Sequence, residues 1–215
     1  KHNWELLDEY PKVIKLNPAS GLLACDREGE GKMANIETIQ LAIHSVVLTQ
    51  DHEFNLKKDL NGINLLVTAG ATVEELDPAR YFSNQSTGRM GVLLAQAGRF
   101  RGANVDLIHG DLSIPLAFLE GLNTYKALNS IQMQKKIETL QPSADLIAMT
   151  AAISDLRIKQ GPKAEKANKD ILVKSLTGEL EVVPDLLCEM NSRKSSKQVV
   201  LGFSALTGND DEIQK

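Results

Sequence analysis

The run INLLVTAG, residues 63–70, is apolar for most of its length and closes on a glycine. A short, non-alternating apolar run of this kind fits a strand buried on both faces of a parallel sheet. Three further stretches read the same way: NVDLIHG (104–110), ADLIAMTAA (144–152) and QVVLGFSA (198–205). Between them lie segments with helical spacing, over Met90–Phe100, Lys126–Leu140 and Leu186–Met190. Strands that alternate with helices build βαβ units around a parallel sheet.

The expectation is therefore an α/β domain over residues 61–215, a Rossmann-like, mostly parallel sheet with helices on both faces. Residues 1–60 read differently. Pro11, Pro18, Gly21, Gly29 and Gly31 break the early part into loops. A helix follows over Ile36–Leu48, and the polar run Thr49–Asn61 reads as a linker. The start lacks the apolar core of a signal peptide and an initiator Met. The chain is thus expected to be part of a longer protein.

The formal net charge of −4 leaves no basic excess for a general nucleic-acid or membrane-surface binder. No run of about 18 apolar residues offers a transmembrane helix. Two cysteines, Cys25 and Cys188, make no disulfide framework, so a cytoplasmic setting is the expectation. Cys188 reads as a core-packing residue. The histidines are scattered and show no zinc spacing; His44 is expected to pack from the Ile36–Leu48 helix.

In an open parallel sheet, ligands bind beyond the carboxyl ends of the strands. That rule selects four loops: Ala69–Asn84, His109–Ser113, Thr150–Lys169 and Phe203–Gly208. In the first, Thr68, Gly70 and Thr72 follow the strand directly, and small residues there let a backbone approach a phosphate or ribose. The same turn reads equally well as a tight strand-to-loop connection. Further on, Ser86 and Thr87 are placed to cap a helix starting near Gly88. Its free amides would form an anion site to which Arg89 adds charge; an ordinary cap with a solvated arginine is the alternative. In the third loop Asp155 could bind Mg²⁺ or a base edge. Lys163, Lys166 and Lys169 suit phosphates, or else form a solvated face. A GxGxxG fingerprint, with an acidic residue about 20 positions on, is missing, which argues against a dinucleotide oxidoreductase.

Taken together, LVTAGATVEELDPARYFSNQSTGRMG (66–91), MTAAISDLR (149–157), the lysine cluster, VPDLL (183–187) and LGFSALTG (201–208) resemble, in order, the signatures of phosphopantothenoylcysteine synthetase. The resemblance implies a ligase that joins 4′-phosphopantothenate to L-cysteine. CTP would activate the carboxylate as an acyl-cytidylate, with Mg²⁺, and CMP and diphosphate would leave. It implies that Asn84 holds the intermediate, that Arg80 assists the second half-reaction, and that Lys166, with Lys163 or Lys169 as alternatives, stabilises the transferred phosphate. Met149, Thr150, Ala151, Asp155, Glu181, Val182, Val183, Pro184 and Phe203 would contact the nucleotide, as would Gly70 and Thr72. Ser86, Gly88 and Arg89 would hold substrate phosphate. A homodimer is also implied. Leu206 stands where the family has an acidic residue, and the chain ends at Lys215, before a KxxxK stretch.

A second resemblance lies earlier. NPASGLLACDREGEGKM (17–33) is similar to the substrate flap of the flavin-dependent phosphopantothenoylcysteine decarboxylase, with Cys25 at the position of the flap cysteine and Asp26 at that of a glycine. FMN binding is expected only of the full-length parent. The alternative to a ligase is a non-catalytic nucleotide-binding or regulatory module.

Overall fold

The computed structural model describes residues 2–10, 13–49, 58–169, 172–173 and 178–204. Leu206, Gly208 and Lys215 lie outside them, as does most of the expected linker. The first part holds α1 (His2–Leu6), a hairpin of β1 (Ala19–Leu22) and β2 (Glu28–Lys32), and α2 (Ile36–Thr49). Then come β3 (Asn64–Ala69), β4 (Val73–Asp77), β5 (Arg80–Ser83), α3 (Arg89–Phe100), β6 (Asn104–His109) and β7 (Asn123–Lys126). Helix α4 (Ser130–Leu140), β8 (Leu146–Met149), β9 (Leu156–Ile158), β10 (Leu180–Val182), α5 (Leu186–Arg193) and β11 (Val199–Gly202) complete the described chain.

The central sheet has five parallel strands in the order β11-β8-β3-β6-β7. Alternate residues of β3 explain why both faces are covered. Leu65, Val67 and Ala69 pack with Val92 and Ala95 of α3. Leu66 packs with Met133 and Ile137 of α4 and with Leu186 and Met190 of α5. The fold is the Rossmann-like α/β sheet with helices on both faces that the apolar runs imply. From β3 the order grows toward β6 and β7 on one side and toward β8 and β11 on the other. The connections diverge between β3 and β8, where such sheets open a ligand crevice.

Several expectations are corrected. The sheet gains a fifth strand, β7, which takes Lys126 out of the expected helix. That helix starts at Ser130, where the Asn129 side chain caps it by accepting the Gln132 N–H (2.9 Å). The expected first loop contains the β4–β5 hairpin, and β9 of the third loop pairs with β10. The glycines of the first part do not break it into loops. Gly21 pairs with Gly29 inside the β1–β2 ladder, and Leu23 methyls sit over Gly29 and Gly31.

In α2 the buried stripe is Thr38, Ala42 and Ser45, while His44, Ile43 and Val47 are exposed. Cys188 is exposed rather than packed, because Leu186 and Met190, four apart, take the inward face of α5. Among the described residues no helix is long and apolar enough to cross a membrane.

Candidate active site

The carboxyl edge is assembled by hydrogen bonds between loops distant in sequence. The Thr68 hydroxyl accepts the Thr150 and Ala151 amides, both at 3.2 Å, and the Thr150 hydroxyl donates to the Thr68 carbonyl. Ala71 bridges both Asp111 and Ala152. The Thr72 amide donates to the Ala152 carbonyl (3.1 Å), and the Thr72 hydroxyl accepts the Ser154 amide (2.8 Å). Thr72 is fully buried. In this conformation its hydroxyl holds the third loop and faces no open space.

Gly70 takes the other reading given for this turn, a tight strand-to-loop connection. It has φ +78°, and a Cβ there would lie 2.2 Å from the Asp111 carbonyl oxygen. Its smallness admits the neighbouring backbone. Gly91 has an equivalent role for α3. A Cβ there would lie 2.3 Å from Thr150 Oγ1 and 2.7 Å from Ala69 Cβ, so a bare glycine lets the first turn of α3 press onto the ends of β3 and β8. Sequence reasoning did not single Gly91 out.

Asn84 follows β5 and donates from Nδ2 to the Ile153 carbonyl (2.9 Å), joining the hairpin to the loop after β8. A cleft of about 550 Å³ opens there. It is lined by Met149, Ala151, Asp155, Val182, Val183, Pro184 and Phe203, all expected at the nucleotide. Ile153, Ser154, Leu186, Leu187 and Ser204 line it too and were not expected. The signal for them was position, since each lies within three residues of an expected one. The β9–β10 ribbon is closed next to this loop by the Val183 amide, which donates to the Asp155 carbonyl (2.8 Å).

Two expected residues stand at the margin. Thr150 is committed to Thr68. Glu181 pairs with Arg157 across the β9–β10 ladder (2.6 Å). Asp185, also in the cleft, caps α5 by accepting the Cys188 amide. That leaves Asp155, exposed and with no side-chain partner among the described residues, as the carboxylate open to a cation. Among the described residues no group of three or more His, Cys, Asp or Glu is placed to hold a metal by itself. A lone carboxylate fits Mg²⁺, which is shared between one or two carboxylates and substrate phosphates.

The anion site expected at α3 differs in detail. The N-cap is Gly88 itself, at φ 73°, with no side-chain cap bond. The Ser86 and Thr87 hydroxyls instead accept the Gly88 (3.2 Å) and Arg89 (3.3 Å) amides of the approach. Arg89 turns to Glu37 of α2 at 3.1 Å, and both side chains are half exposed.

Arg80 is also engaged. Its Nη2 lies 2.7 Å from Asp77 Oδ2 and donates to the Ala167 carbonyl. Burial pushes the Asp77 carboxyl up, but the Ala79 amide, the Arg80 guanidinium and the Ala167 amide outweigh it and hold it below the usual carboxylate value. Lys163 pairs with Glu179 (3.2 Å), whereas Lys166 and Lys169 are exposed. Cys25 is exposed at the tip of the β1–β2 hairpin, next to Asp26 at φ 56°.

The coenzyme A biosynthesis bifunctional protein CoaBC of Haemophilus influenzae is 33% identical over 208 residues, 93% of this chain and 47% of the relative. That of Escherichia coli K12 is 32% identical over 216 residues, 100% of this chain and 50% of the relative. The chain thus spans about half the length of these curated relatives. A crystal structure of the C-terminal domain of CoaBC has the same fold, with a TM-score of 0.58 at 30% identity over 73% of this chain and 71% of that one. Residues 60–215 match the DNA/pantothenate metabolism flavoprotein C-terminal domain, and the chain belongs to that family.

Proposed function

We propose that this chain carries a ligase activity of coenzyme A biosynthesis, joining 4′-phosphopantothenate to L-cysteine with CTP as the activating nucleotide. The supporting observation is convergence. Met149, Ala151 and Asp155, Val182–Pro184 and Phe203, far apart in sequence, meet at one cleft beside Asn84. Identity to bifunctional CoaBC proteins along most of the chain supports the pathway.

In the first half-reaction a carboxylate oxygen of 4′-phosphopantothenate attacks the α-phosphorus of CTP, and diphosphate leaves with the bridging oxygen. In the second, the cysteine amine attacks the acyl carbon of the mixed anhydride. CMP leaves, and the nitrogen loses a proton. Neither step needs a protein nucleophile, so the work is positioning and charge neutralisation. Asn84 orients the acyl-nucleotidylate, with its side chain braced on Ile153. Val182 and Val183 of the β9–β10 ribbon, with Phe203, enclose the base, and Asp155 either reads its edge or holds Mg²⁺. Lys166, or Lys163 or Lys169 in its place, offsets phosphate charge; in the second case for Asp155, Mg²⁺ held there would neutralise the triphosphate further. Ser86, Gly88 and Arg89 would hold substrate phosphate, with Arg89 released from Glu37. The parent protein is proposed to be cytoplasmic, homodimeric and also a decarboxylase, whose FMN belongs outside this chain.

The test incubates the protein with 4′-phosphopantothenate, Mg²⁺ and CTP or ATP, without cysteine, and measures diphosphate. Release with CTP alone supports the acyl-cytidylate route, and release with ATP alone corrects the nucleotide. CTP binding without release, repeated with the parent protein, favours the non-catalytic nucleotide-binding module.

A further inference from the structure

We propose that Asp77 is a positioning residue: through Arg80 and the Ala167 backbone it fixes the lysine-bearing segment 163–169 against the β4–β5 hairpin. The inference rests on the ligase reading for its consequence, though not for its geometry.

Asp77 is 3% exposed, at the end of β4. Its Oδ1 accepts the Ala79 amide (2.8 Å), which shapes the hairpin turn. Its Oδ2 faces Arg80 Nη2 (2.7 Å) and accepts the Ala167 amide (3.3 Å). Arg80 Nη2 donates in turn to the Ala167 carbonyl. The acid–base pair therefore grips both polar groups of one peptide residue. A second pin lies one residue upstream in β4, where the Leu76 carbonyl accepts the Lys163 amide (2.9 Å).

Between the pins the segment has no helix or strand of its own. It carries Lys163 and Lys166, and Lys169 follows just beyond the Ala167 pin. Like charges on such a loop repel, and without an anchor their ammonium groups would sample many positions. Among the described residues the one ion pair of these lysines, Lys163 with Glu179, is partly exposed and holds little. The Arg80 Nε is buried without a hydrogen-bond partner, so the guanidinium is held from its Nη2 end, by Asp77 and Ala167. Removing the carboxylate charge leaves that partly buried guanidinium without its counter-charge and releases the segment. Arg80 then acts on the reaction by placing lysines as well as by any direct contact.

Amide hydrogen exchange on the whole chain reads this directly. In Asp77→Asn the Lys163 and Ala167 amides should exchange about tenfold faster or more, the scale of one lost charge-assisted hydrogen bond, while β3 and β8 amides stay protected. Unchanged exchange at both amides overturns the proposal. If β3 protection is lost as well, Ala167→Pro asks the same question, since it deletes the donor and leaves the ion pair; the Lys163 amide must then exchange faster.

Turnover adds a readout that a purely structural role would not move. The KM for the triphosphate should rise about tenfold with kcat within about threefold, and Asp77→Glu should recover part of it. Faster exchange with unchanged KM removes the positioning role. If neither the chain nor the parent protein releases diphosphate with CTP or ATP, the ligase reading fails, and the exchange result alone decides the anchor.

Discussion

Gly91→Ala places a single methyl group at the junction of α3 with the two central strands. The new Cβ would sit 2.3 Å from Thr150 Oγ1, 2.7 Å from Ala69 Cβ and 3.0 Å from the Thr68 carbonyl oxygen. None of these is a flexible side-chain tip. Ala69 is fully buried, and the Thr150 hydroxyl is hydrogen-bonded to Thr68. Relief requires α3 to lift or that bond to break. Overpacking costs about 1–3 kcal/mol and a lost hydrogen bond about 1 kcal/mol, offset by the roughly 1 kcal/mol that alanine gains over glycine in a helix. The net expectation is a destabilisation of about 1–3 kcal/mol.

Gly98→Ala, on the same helix, is the control. There the close contact is Leu65 Cδ2 at 2.4 Å, the end of a side chain that can rotate, and the next atom is 3.7 Å away. Its cost should be below about 1 kcal/mol, because the helical gain offsets a small repacking. Urea unfolding followed by circular dichroism separates the two. With an m value of about 3 kcal/mol/M, the Gly91 variant should lose roughly 0.3–1 M in midpoint. A Gly91 variant as stable as the parent, or a Gly98 variant the worse of the two, would refute the claim that the helix–strand approach demands a bare glycine.

Three other outcomes are expected. Asn84→Asp replaces the donor to the Ile153 carbonyl with an acceptor, and product formation should fall by about a hundredfold or more while the circular dichroism spectrum is kept; full turnover would remove Asn84 from the site. Asp26→Gly should stabilise the β1–β2 hairpin by about 0.5–1 kcal/mol, because φ 56° suits glycine better than any other residue; slower hydrogen exchange at the Leu23 amide checks it. Asp77 has a depressed native pKa, so its contribution to stability is complete above the unfolded value of 3.8 and is lost as pH falls through the lower native value. An acid titration of Asp77→Asn should therefore show a weaker pH dependence below 3.8 than the parent, and identical acid limbs would contradict this.

The sheet was legible where residues are buried on both faces. β3, β6 and β8 are apolar runs because α3 covers one side and α4 or α5 the other. The edge strand β7, NTYK, carries no such run, and its helical neighbour absorbed it in the reading. The β4–β5 hairpin had a signal in Asp77-Pro78-Ala79-Arg80, with proline at the second turn position and an aspartate accepting the Ala79 amide. The search for ligand loops passed over that turn. In the first part, glycines read as breakers stand inside a strand pair, because a glycine facing a glycine can still hydrogen-bond across a ladder.

What the amino-acid sequence determined by itself was local: which runs are strands, which faces are apolar, and which motifs close the strands at their carboxyl ends. Those follow from side-chain chemistry and spacing within about ten residues. The tertiary structure decided the rest. It brought Met149, Ala151 and Asp155, Val182–Pro184 and Phe203 to one cleft, turned Thr72 inward to the Ser154 amide, and set Gly70 against Asp111 rather than open space. It also joined Asp77 and Arg80 to a peptide nearly ninety positions away. Such contacts depend on strand order and on which loops share an edge, and pairings over that separation leave no periodic trace in either partner.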